Sequence, residues 1–239
     1  LNAGQSCRIG VVFTPGAVGA RSATLTLLDN TLNGEDNVTL AGIGVLPSPT
    51  FTITAPANGA TFTSGTAVTF SVKVSSASGP QPTGKVQFKV DGANYGTAVT
   101  VSSTGTASTS VTGLTTTTHT LSATYSGDTN YAAAGPVSVS ITIKAAATLK
   151  FTSPTSGQTV PAASLPVSVT VTSKTSPVPI GNVTFSVDGA QVGAPVKLVS
   201  GAASMTTGSL TAGSHTILAV YSGDKYHRAT KASETVNAQ

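Results

Sequence analysis

A ten-residue segment whose side chains could do chemistry occurs twice in this chain. HTLSATYSGD runs from His119 to Asp128, and HTILAVYSGD runs from His215 to Asp224. Each copy holds a histidine, a tyrosine and an aspartate, which can exchange protons or bind a cation. The repeat is therefore either a site that is used twice or a structural part that every copy of one module requires.

Calcium binding is one chemical interpretation of the repeat. Asp128 and Asp224 are the candidate ligands, and they could join Asp91 and Asp188 around the ion. Calcium takes about six to eight oxygen ligands, usually from several clustered carboxylates. Each copy offers few acidic residues and no D-x-D-x-D run, so we favour a structural interpretation and expect no metal or cofactor.

The structural interpretation is a strand that ends in a tight turn. We expect Gly127 and Gly223 to adopt backbone angles that other residues avoid, and the following aspartate to accept hydrogen bonds from backbone N–H groups. Tyr125 and Tyr221 should pack into the rim of the fold while their hydroxyls keep a polar partner.

Segments with alternating apolar residues surround both copies. Examples are Val86-Phe88-Val90 and Val183-Phe185-Val187, each followed directly by an Asp-Gly pair, which is a strong hairpin signal. A period of two with one apolar face predicts half-buried strands, about seven in each copy. With no apolar 3.6-residue pattern, the sequence predicts an all-β fold made of antiparallel β-sandwiches.

A longer repeat contains the decapeptide. GKVQFKVDGANYG (Gly84 to Gly96) aligns with GNVTFSVDGAQVG (Gly181 to Gly193), and the flanking segments follow at nearly the same offset. The chain therefore holds two homologous modules in tandem, each of about 95 residues, which is the size of a sandwich that folds independently.

His119 and His215 are candidates for a general base. A base needs a nucleophile or an acid nearby, and alternation along the strand offers only threonine and alanine as neighbours. We therefore expect each ring to pack over the preceding turn and to bond back to the backbone through a ring nitrogen, like the tyrosine corner of β-sandwiches. His227 is expected to lie on the surface.

Composition excludes several classes of function. Charged residues make up 8% of the chain, against about 25% in ordinary soluble domains. The net charge of +4 comes from scattered basic residues, so nucleic-acid binding is not expected. No apolar run is long enough to span a membrane. There is no Ser-His-Asp order, paired carboxylates, C-x-x-C, H-E-x-x-H or phosphate-binding glycine loop, so we do not expect an enzyme.

The module resembles a known family. The string G-x-V-x-F-x-V-D-G, followed by L-x-x-G-x-H-T-x-x-A-x-Y-S-G-D, is similar to the bacterial Ig-like repeat of large secreted and surface proteins. The second module carries the pattern at Gly181, Val183, Phe185, Val187, Asp188, Gly189, Leu210, Gly213, His215, Ala219, Tyr221, Ser222, Gly223 and Asp224. The first module departs once, since Thr117 stands where the second has Gly213.

Residues 1–46 differ from both modules. AGQSCRIGVVFTPGAVGARSATLTLLDN, followed by VTLAGIG, is similar to the C-terminal half of an ASH-type domain, the PapD-like sandwich also called choice-of-anchor D. The matching residues are Gly4, Cys7, Val11, Phe13, Pro15, Gly19, Leu25, Leu40, Gly42 and Gly44. The resemblance implies that the chain begins inside a domain.

An incomplete sandwich would expose strand edges and half of a core. The missing half could lie outside this sequence, the segment could dock on its neighbour, or another copy could donate strands and form a head-to-tail polymer. Cys7 is the only cysteine, and in the family it often has a partner upstream. It could therefore form a disulfide with an absent segment or remain a buried thiol.

The expected domains are an incomplete ASH-type sandwich at 1–46 and Ig-like sandwiches at 50–145 and 148–239. The linkers, at residues 45–49 and 144–148, are short, since five extended residues reach only about 17 Å. We therefore expect an extended rod of beads.

The leading function is a non-catalytic spacer in a bacterial surface or secreted protein, as part of a stalk or fibre. Its expected partners are neighbouring domains and copies of itself. The alternative is an adhesin-like or carbohydrate-binding accessory module, with surface glycans or host matrix proteins as partners. Tyr95, Tyr131 and Tyr226 are the aromatic residues that could be exposed; two of them coplanar on one face would favour that alternative.

Overall fold

The computed structural model describes residues 5–28 and 34–239, and within these ranges it contains strands, turns and bends but no helix. The predicted all-β fold is thereby confirmed. Accordingly, the described residues include no helix that is long and apolar enough to cross a membrane. Gly4, which contributes to one of the resemblances, lies outside the described residues.

The N-terminal hairpin is formed by β1 (Gly19–Leu28) and β2 (Glu35–Gly44), which pair antiparallel along their whole length. The phenyl ring of Phe13, from the segment before β1, lies against β2, where a Cβ on Gly42 would come within 2.7 Å of it. Apolar side chains of this region remain exposed, among them Ile9, Val11 and Ile43. The described part of the hairpin therefore does not enclose a core.

The first sandwich packs two sheets against each other. The first sheet, in the order β3-β5-β9, is antiparallel; the second has the order β4-β11-β10-β6-β7, with β8 also pairing with β6. The strands are β3 (Thr50–Ala55), β4 (Thr61–Thr63), β5 (Val68–Ser75), β6 (Lys85–Val90), β7 (Ala93–Asn94), β8 (Val99–Thr100), β9 (Thr106–Val111), β10 (Thr118–Tyr125) and β11 (Ala134–Lys144).

The second sandwich repeats this arrangement. Its sheets have the orders β12-β14-β17 and β13-β19-β18-β15-β16. The strands are β12 (Ala147–Ser153), β13 (Thr159–Val160), β14 (Pro166–Ser173), β15 (Asn182–Val187), β16 (Ala190–Lys197), β17 (Ala202–Thr206), β18 (Gly213–Tyr221) and β19 (Thr230–Ala238). Both sandwiches exceed the predicted seven strands because short edge segments also pair.

Alternation along the central strands builds each core. In β5 the side chains of Val68, Phe70, Val72 and Val74 are buried while the residues between them face outward. The rings of Phe70 and Phe88 meet edge to face across the two sheets, with centroids 4.9 Å apart. Each sandwich has its own cluster of buried apolar residues, and the two clusters have no residue in common.

The two connections between the parts of the chain differ in length. Residues 45–49 separate β2 from β3, as the sequence predicts, and they have no regular structure. Between the sandwiches, β11 ends at Lys144 and β12 begins at Ala147, so only Ala145 and Ala146 lie between strands. The strands thus extend into the linker that the sequence predicts at 144–148.

Candidate functional site

The repeated histidine lies at the start of β10 and of β18, beside the hairpin turn of the neighbouring strand. His119 Nδ1 lies 2.7 Å from Asp91 Oδ2, and His215 Nδ1 lies 2.6 Å from Asp188 Oδ2. The other carboxylate oxygen of each aspartate accepts a hydrogen bond from the backbone N–H after the histidine, at 2.8 Å in both sandwiches. The pair thus ties a turn to the adjacent strand.

The second ring nitrogen of each histidine faces a backbone carbonyl. His119 Nε2 is 3.0 Å from the oxygen of Thr115, and His215 Nε2 is 2.8 Å from the oxygen of Thr211. A carboxylate and a carbonyl are both acceptors, so only the protonated imidazolium can donate to both. This geometry bonds the ring back to the preceding turn and leaves neither ring nitrogen available to a substrate.

These contacts shift the pKa of the histidine upward. For His215, the hydrogen bond to Asp188 and then the bond to Thr211 raise the pKa above its ordinary value. For His119, burial works in the opposite direction, but the bonds to Asp91 and Thr115 prevail and raise the pKa. The shift favours the charged form, which suits a structural bond, whereas a general base must be neutral to accept a proton.

The aspartate that ends the decapeptide closes a loop of its own sandwich. Asp128 accepts hydrogen bonds from the backbone N–H groups of Asn130 and Tyr131 at 2.7 and 2.8 Å. It also accepts from the backbone N–H of Thr83 at 2.6 Å and from the Tyr125 hydroxyl at 3.1 Å. One carboxylate therefore joins the end of β10, the following loop and the segment before β6.

Asp224 repeats this role in the second sandwich. The backbone N–H groups of Tyr226 and His227 donate to it at 2.7 Å, and that of Ile180 donates at 2.9 Å. The Tyr221 hydroxyl lies 3.0 Å from the same carboxylate. The sequence predicts a turn closed by backbone N–H groups, and the geometry shows in addition a bond to a distant segment.

The pKa values of the motif follow from these contacts. Burial alone would raise the pKa of Asp128, but the hydrogen bonds from Thr83, Asn130 and Tyr131 lower it to about 2. Burial, and then the bond to the Asp128 carboxylate, raise the pKa of Tyr125 to about 12. Both groups thus keep one protonation state over a wide pH range, as structural groups do.

The glycine between tyrosine and aspartate is required by close backbone contact. Gly127 has φ +76° and Gly223 has φ +74°. A Cβ on Gly127 would lie 2.8 Å from the N of Ala133, and one on Gly223 would lie 2.8 Å from the N of Ala229. The loop folds back so tightly that no side chain fits at this position.

The calcium arrangement considered from the sequence is not formed. Asp91 bonds at the start of β10 and Asp128 bonds beyond its end, and six residues of strand separate those ends by about 20 Å. Asp188 and Asp224 lie at the two ends of β18 in the same way. Within residues 5–28 and 34–239, no group of three or more His, Cys, Asp or Glu side chains is placed to hold a metal ion.

His227 is buried, and its expected surface position is therefore wrong. It is 0% exposed, and its Nδ1 lies 2.9 to 3.0 Å from the two carboxylate oxygens of Asp224. Its Nε2 is buried without a hydrogen-bond partner among the described residues. His227 aligns with Tyr131 of the first sandwich, which is also buried, so the repeat shows their shared burial only once one of the two structures is known.

The three tyrosines proposed as exposed do not form a platform. Tyr131 is 2% exposed, so its expected exposure is wrong; its hydroxyl donates to the carbonyls of Ser78 and Pro80. Tyr95 and Tyr226 are half-buried and belong to different sandwiches. The Tyr95 hydroxyl is bonded to the backbone of Ser110, and the Lys225 ammonium lies 5.2 Å from the centre of the Tyr226 ring.

Cys7 is a free thiol and is exposed. Pairing with a cysteine outside this sequence stays a prediction. Among the described residues nothing covers the thiol, so its burial also stays a prediction.

Comparison with known families identifies the repeated module. The sequence model of the family described as "Bacterial Ig-like domain (group 3)" matches residues 53–144 and again residues 147–239. These matches cover more than half of the chain and confirm the predicted tandem repeat. No curated protein matches the chain significantly.

Several solved structures are similar in fold. The fibronectin(III)-like modules of CbhA from Clostridium thermocellum share 21% identity, cover 80% of this chain and 94% of their own, and give a TM-score of 0.44. The D0-D1 domain of intimin shares 20% identity over 79% of this chain and 97% of its own, with a TM-score of 0.29. Titin domains z1z2, solved in complex with telethonin, share 19% identity over 81% and 97%, with a TM-score of 0.34. At these values the likeness does not extend to function.

Proposed function

Because this chain belongs to the bacterial Ig-like domain family (group 3), we propose that it is a non-catalytic spacer in a bacterial surface or secreted protein. Its two sandwiches, at 50–145 and 148–239, act as rigid beads of a stalk or fibre. The proposed location is extracellular, where folded modules hold another part of the protein away from its anchor.

One observation supports this proposal most. In both sandwiches the His, Tyr and Asp side chains of the repeated decapeptide have hydrogen-bond partners within their own module. These are the side chains of the module that could exchange protons or bind a cation, and their contacts instead stabilise turns. A spacer needs modules that stay folded, and these bonds serve that need directly.

The N-terminal hairpin is the part that would connect the spacer to something else. We propose that it belongs to an ASH-type sandwich and that its exposed apolar face, with Ile9, Val11 and Ile43, is covered by strands outside the described residues. Those strands could come from the same protein or from another copy, which would give a head-to-tail fibre. An exposed strand edge is a template for either pairing.

Imaging of the purified chain by negative-stain electron microscopy tests the spacer. We expect separate elongated particles with two resolved beads. Long threads with a regular period would instead support assembly by strand donation. Compact particles in which the two sandwiches pack side by side would contradict the spacer.

Co-sedimentation with insoluble polysaccharides tests the alternative of a carbohydrate-binding or adhesin-like module. We expect the chain to stay in the supernatant with cellulose, chitin and peptidoglycan, because its tyrosines form no shared aromatic face. Sedimentation that is lost in Tyr226→Ala but kept in Tyr95→Ala would overturn the spacer in favour of glycan binding.

A further inference from the structure

Backbone hydrogen bonds cross from the first sandwich to the second at Ala145. Its N–H donates to the carbonyl of Tyr226 at 2.7 Å, and its carbonyl accepts from the N–H of Arg228 at 2.9 Å. Ala145 and His227 thereby form a parallel bridge, and Ala145 is 3% exposed. The connecting residue is thus built into the second sandwich like a residue of a strand.

Two cationic side chains fasten the same junction from opposite sides. Lys144, the last residue of β11, reaches forward and donates to the carbonyl of Asp224. Arg228 reaches back, and its guanidinium lies 3.2 Å from the hydroxyl of Thr63 and 3.5 Å from the carbonyl of Thr61. Each sandwich therefore supplies a cation that bonds to the other.

The repeated decapeptide shapes the surface that receives these bonds. Asp224 holds the N–H groups of Tyr226 and His227, and this fixes the loop whose carbonyl at Tyr226 and N–H at Arg228 pair with Ala145. The carboxylate thus closes its own sandwich and also presents the backbone groups of the joint.

The joint ahead of the first sandwich has fewer of these bonds. Its counterpart of Arg228 is Ala132, whose N–H donates to the carbonyl of Pro47 at 3.0 Å. Pro47 takes the place of Ala145 and has no N–H, so it cannot donate the reciprocal bond. Ala132 has no cationic side chain that could bond to the preceding segment, as Arg228 does. The connection is also longer, since residues 45–49 lie between strands here, against only two residues between the sandwiches.

We propose that the joint between the two sandwiches is fixed, that Lys144 and Arg228 hold it, and that the joint before the first sandwich is a hinge. Relative motion is the default for neighbouring domains unless their contact restrains it, and only the second joint has reciprocal restraints. This inference goes beyond the spacer function, because a binding module could have the same joints. If the proposal of a fixed joint fails, the proposed spacer function is therefore unaffected, and the reverse also holds.

Distances between paired spin labels test both joints in the full chain. In a Cys7→Ser background, labels at Thr97→Cys and Ala194→Cys, which are exposed equivalent positions, span the fixed joint. Labels at Thr39→Cys, exposed on β2, and Thr97→Cys span the hinge. We expect a narrow distance distribution across the first pair and one at least about twice as broad across the second.

Removal of the two cations should loosen the fixed joint. In Lys144→Met/Arg228→Ala we expect the distribution between positions 97 and 194 to broaden about two-fold, towards that of a freely linked pair. Lys73→Ala/Lys231→Ala, which removes two exposed cations from the strands β5 and β19, is the matched control and should leave the width unchanged. Thermal unfolding of each variant shows that both sandwiches remain folded.

Two results would overturn the proposal. One is distance distributions of equal width across both joints in the labelled proteins that keep Lys144 and Arg228. That comparison holds even if the double variant does not fold. The other is a folded Lys144→Met/Arg228→Ala protein whose distribution between positions 97 and 194 is unchanged.

Discussion

Two separate physical requirements make the residue before the last position of the decapeptide a glycine. Gly127 needs a positive φ, and it also needs the space that a Cβ would take from the backbone at Ala133. Gly92, in the hairpin turn after β6, has φ +84° but nothing within 4 Å of the position of its absent Cβ. The two positions therefore separate conformational strain from steric conflict.

We predict that Gly92→Ala destabilises the first sandwich by about 1 to 2 kcal/mol, the cost of a left-handed backbone with a Cβ. Gly127→Ala should cost several times as much, because the loop must also move. Urea unfolding of both variants measures the difference. Equal losses would show that the close approach at Ala133 is unimportant.

Position 131 and its repeat at 227 differ in a way that a single neighbouring residue can explain. A Cβ on Gly79 would lie 2.8 Å from the hydroxyl of Tyr131, so the large tyrosine requires glycine there. The second module has Ser176 at the position aligned with Gly79, and it has the smaller His227, whose Nε2 has no described partner. From this alignment we infer that tyrosine with glycine and histidine with serine are two alternative pairs.

A double-mutant cycle tests this pairing. We predict that His227→Tyr alone destabilises the second sandwich, because Ser176 restricts the space for the larger ring. His227→Tyr/Ser176→Gly should recover about 1 kcal/mol or more relative to the sum of the single changes. Chemical unfolding gives the three values, and simple additivity would refute the coupling.

At the scale of elements, the His–Asp pair joins hairpin turns to neighbouring strands. Asp91 and Asp188 have φ of 49° in two-residue turns, with Val90 pairing with Ala93 and Val187 with Ala190. Each turn aspartate then bonds the histidine that begins the adjacent strand. The tie is strongest when the ring is protonated, because both ring nitrogens face acceptors.

This geometry predicts a pH dependence of stability. The pKa of His119 and His215 is raised in the folded protein, so their contribution is fully present below about pH 6.5. It is lost as the pH rises through the raised folded value. We expect the free energy of unfolding to fall as the pH rises above about 6.5 and the histidines lose their proton.

The variant His119→Phe/His215→Phe checks the assignment. It should be less stable than the parent protein at low pH and should lack most of the decline towards high pH, while it keeps His227. A decline of the same size in both proteins would show that other groups cause it.

At the scale of the molecule, stability resides in two separate cores. Phe88 and Phe185 occupy equivalent positions on β6 and β15, and each lies in its own apolar cluster. The junction at Ala145 joins the sandwiches through hydrogen bonds at their ends and does not merge those clusters. Damage to one core should therefore leave the other folded.

We predict that Phe185→Ala costs about 3 to 5 kcal/mol in the second sandwich, and that Phe88→Ala costs a similar amount in the first. Hydrogen exchange, read peptide by peptide, should show lost protection only in the substituted sandwich. Loss of protection in both would mean that the chain unfolds as one cooperative unit.

Local patterns account for the part of this protein that the sequence alone could predict. Alternation in β6, β10, β15 and β18 identified the strands, and the Asp-Gly pairs identified the hairpins, because both effects act over a few neighbouring residues. The repeat offset then identified two modules of one family. The backbone role expected for Gly127 and Asp128 also follows from local chain geometry.

Tertiary structure decided which distant groups meet. Asp91 contacts His119, Asp128 contacts Thr83, and Ala145 pairs with the loop at Tyr226 only in the packed structure, since each contact joins segments far apart in sequence. Periodicity reports which face of a strand is apolar, but the partner across a sandwich is set by strand order and register, which no single segment encodes.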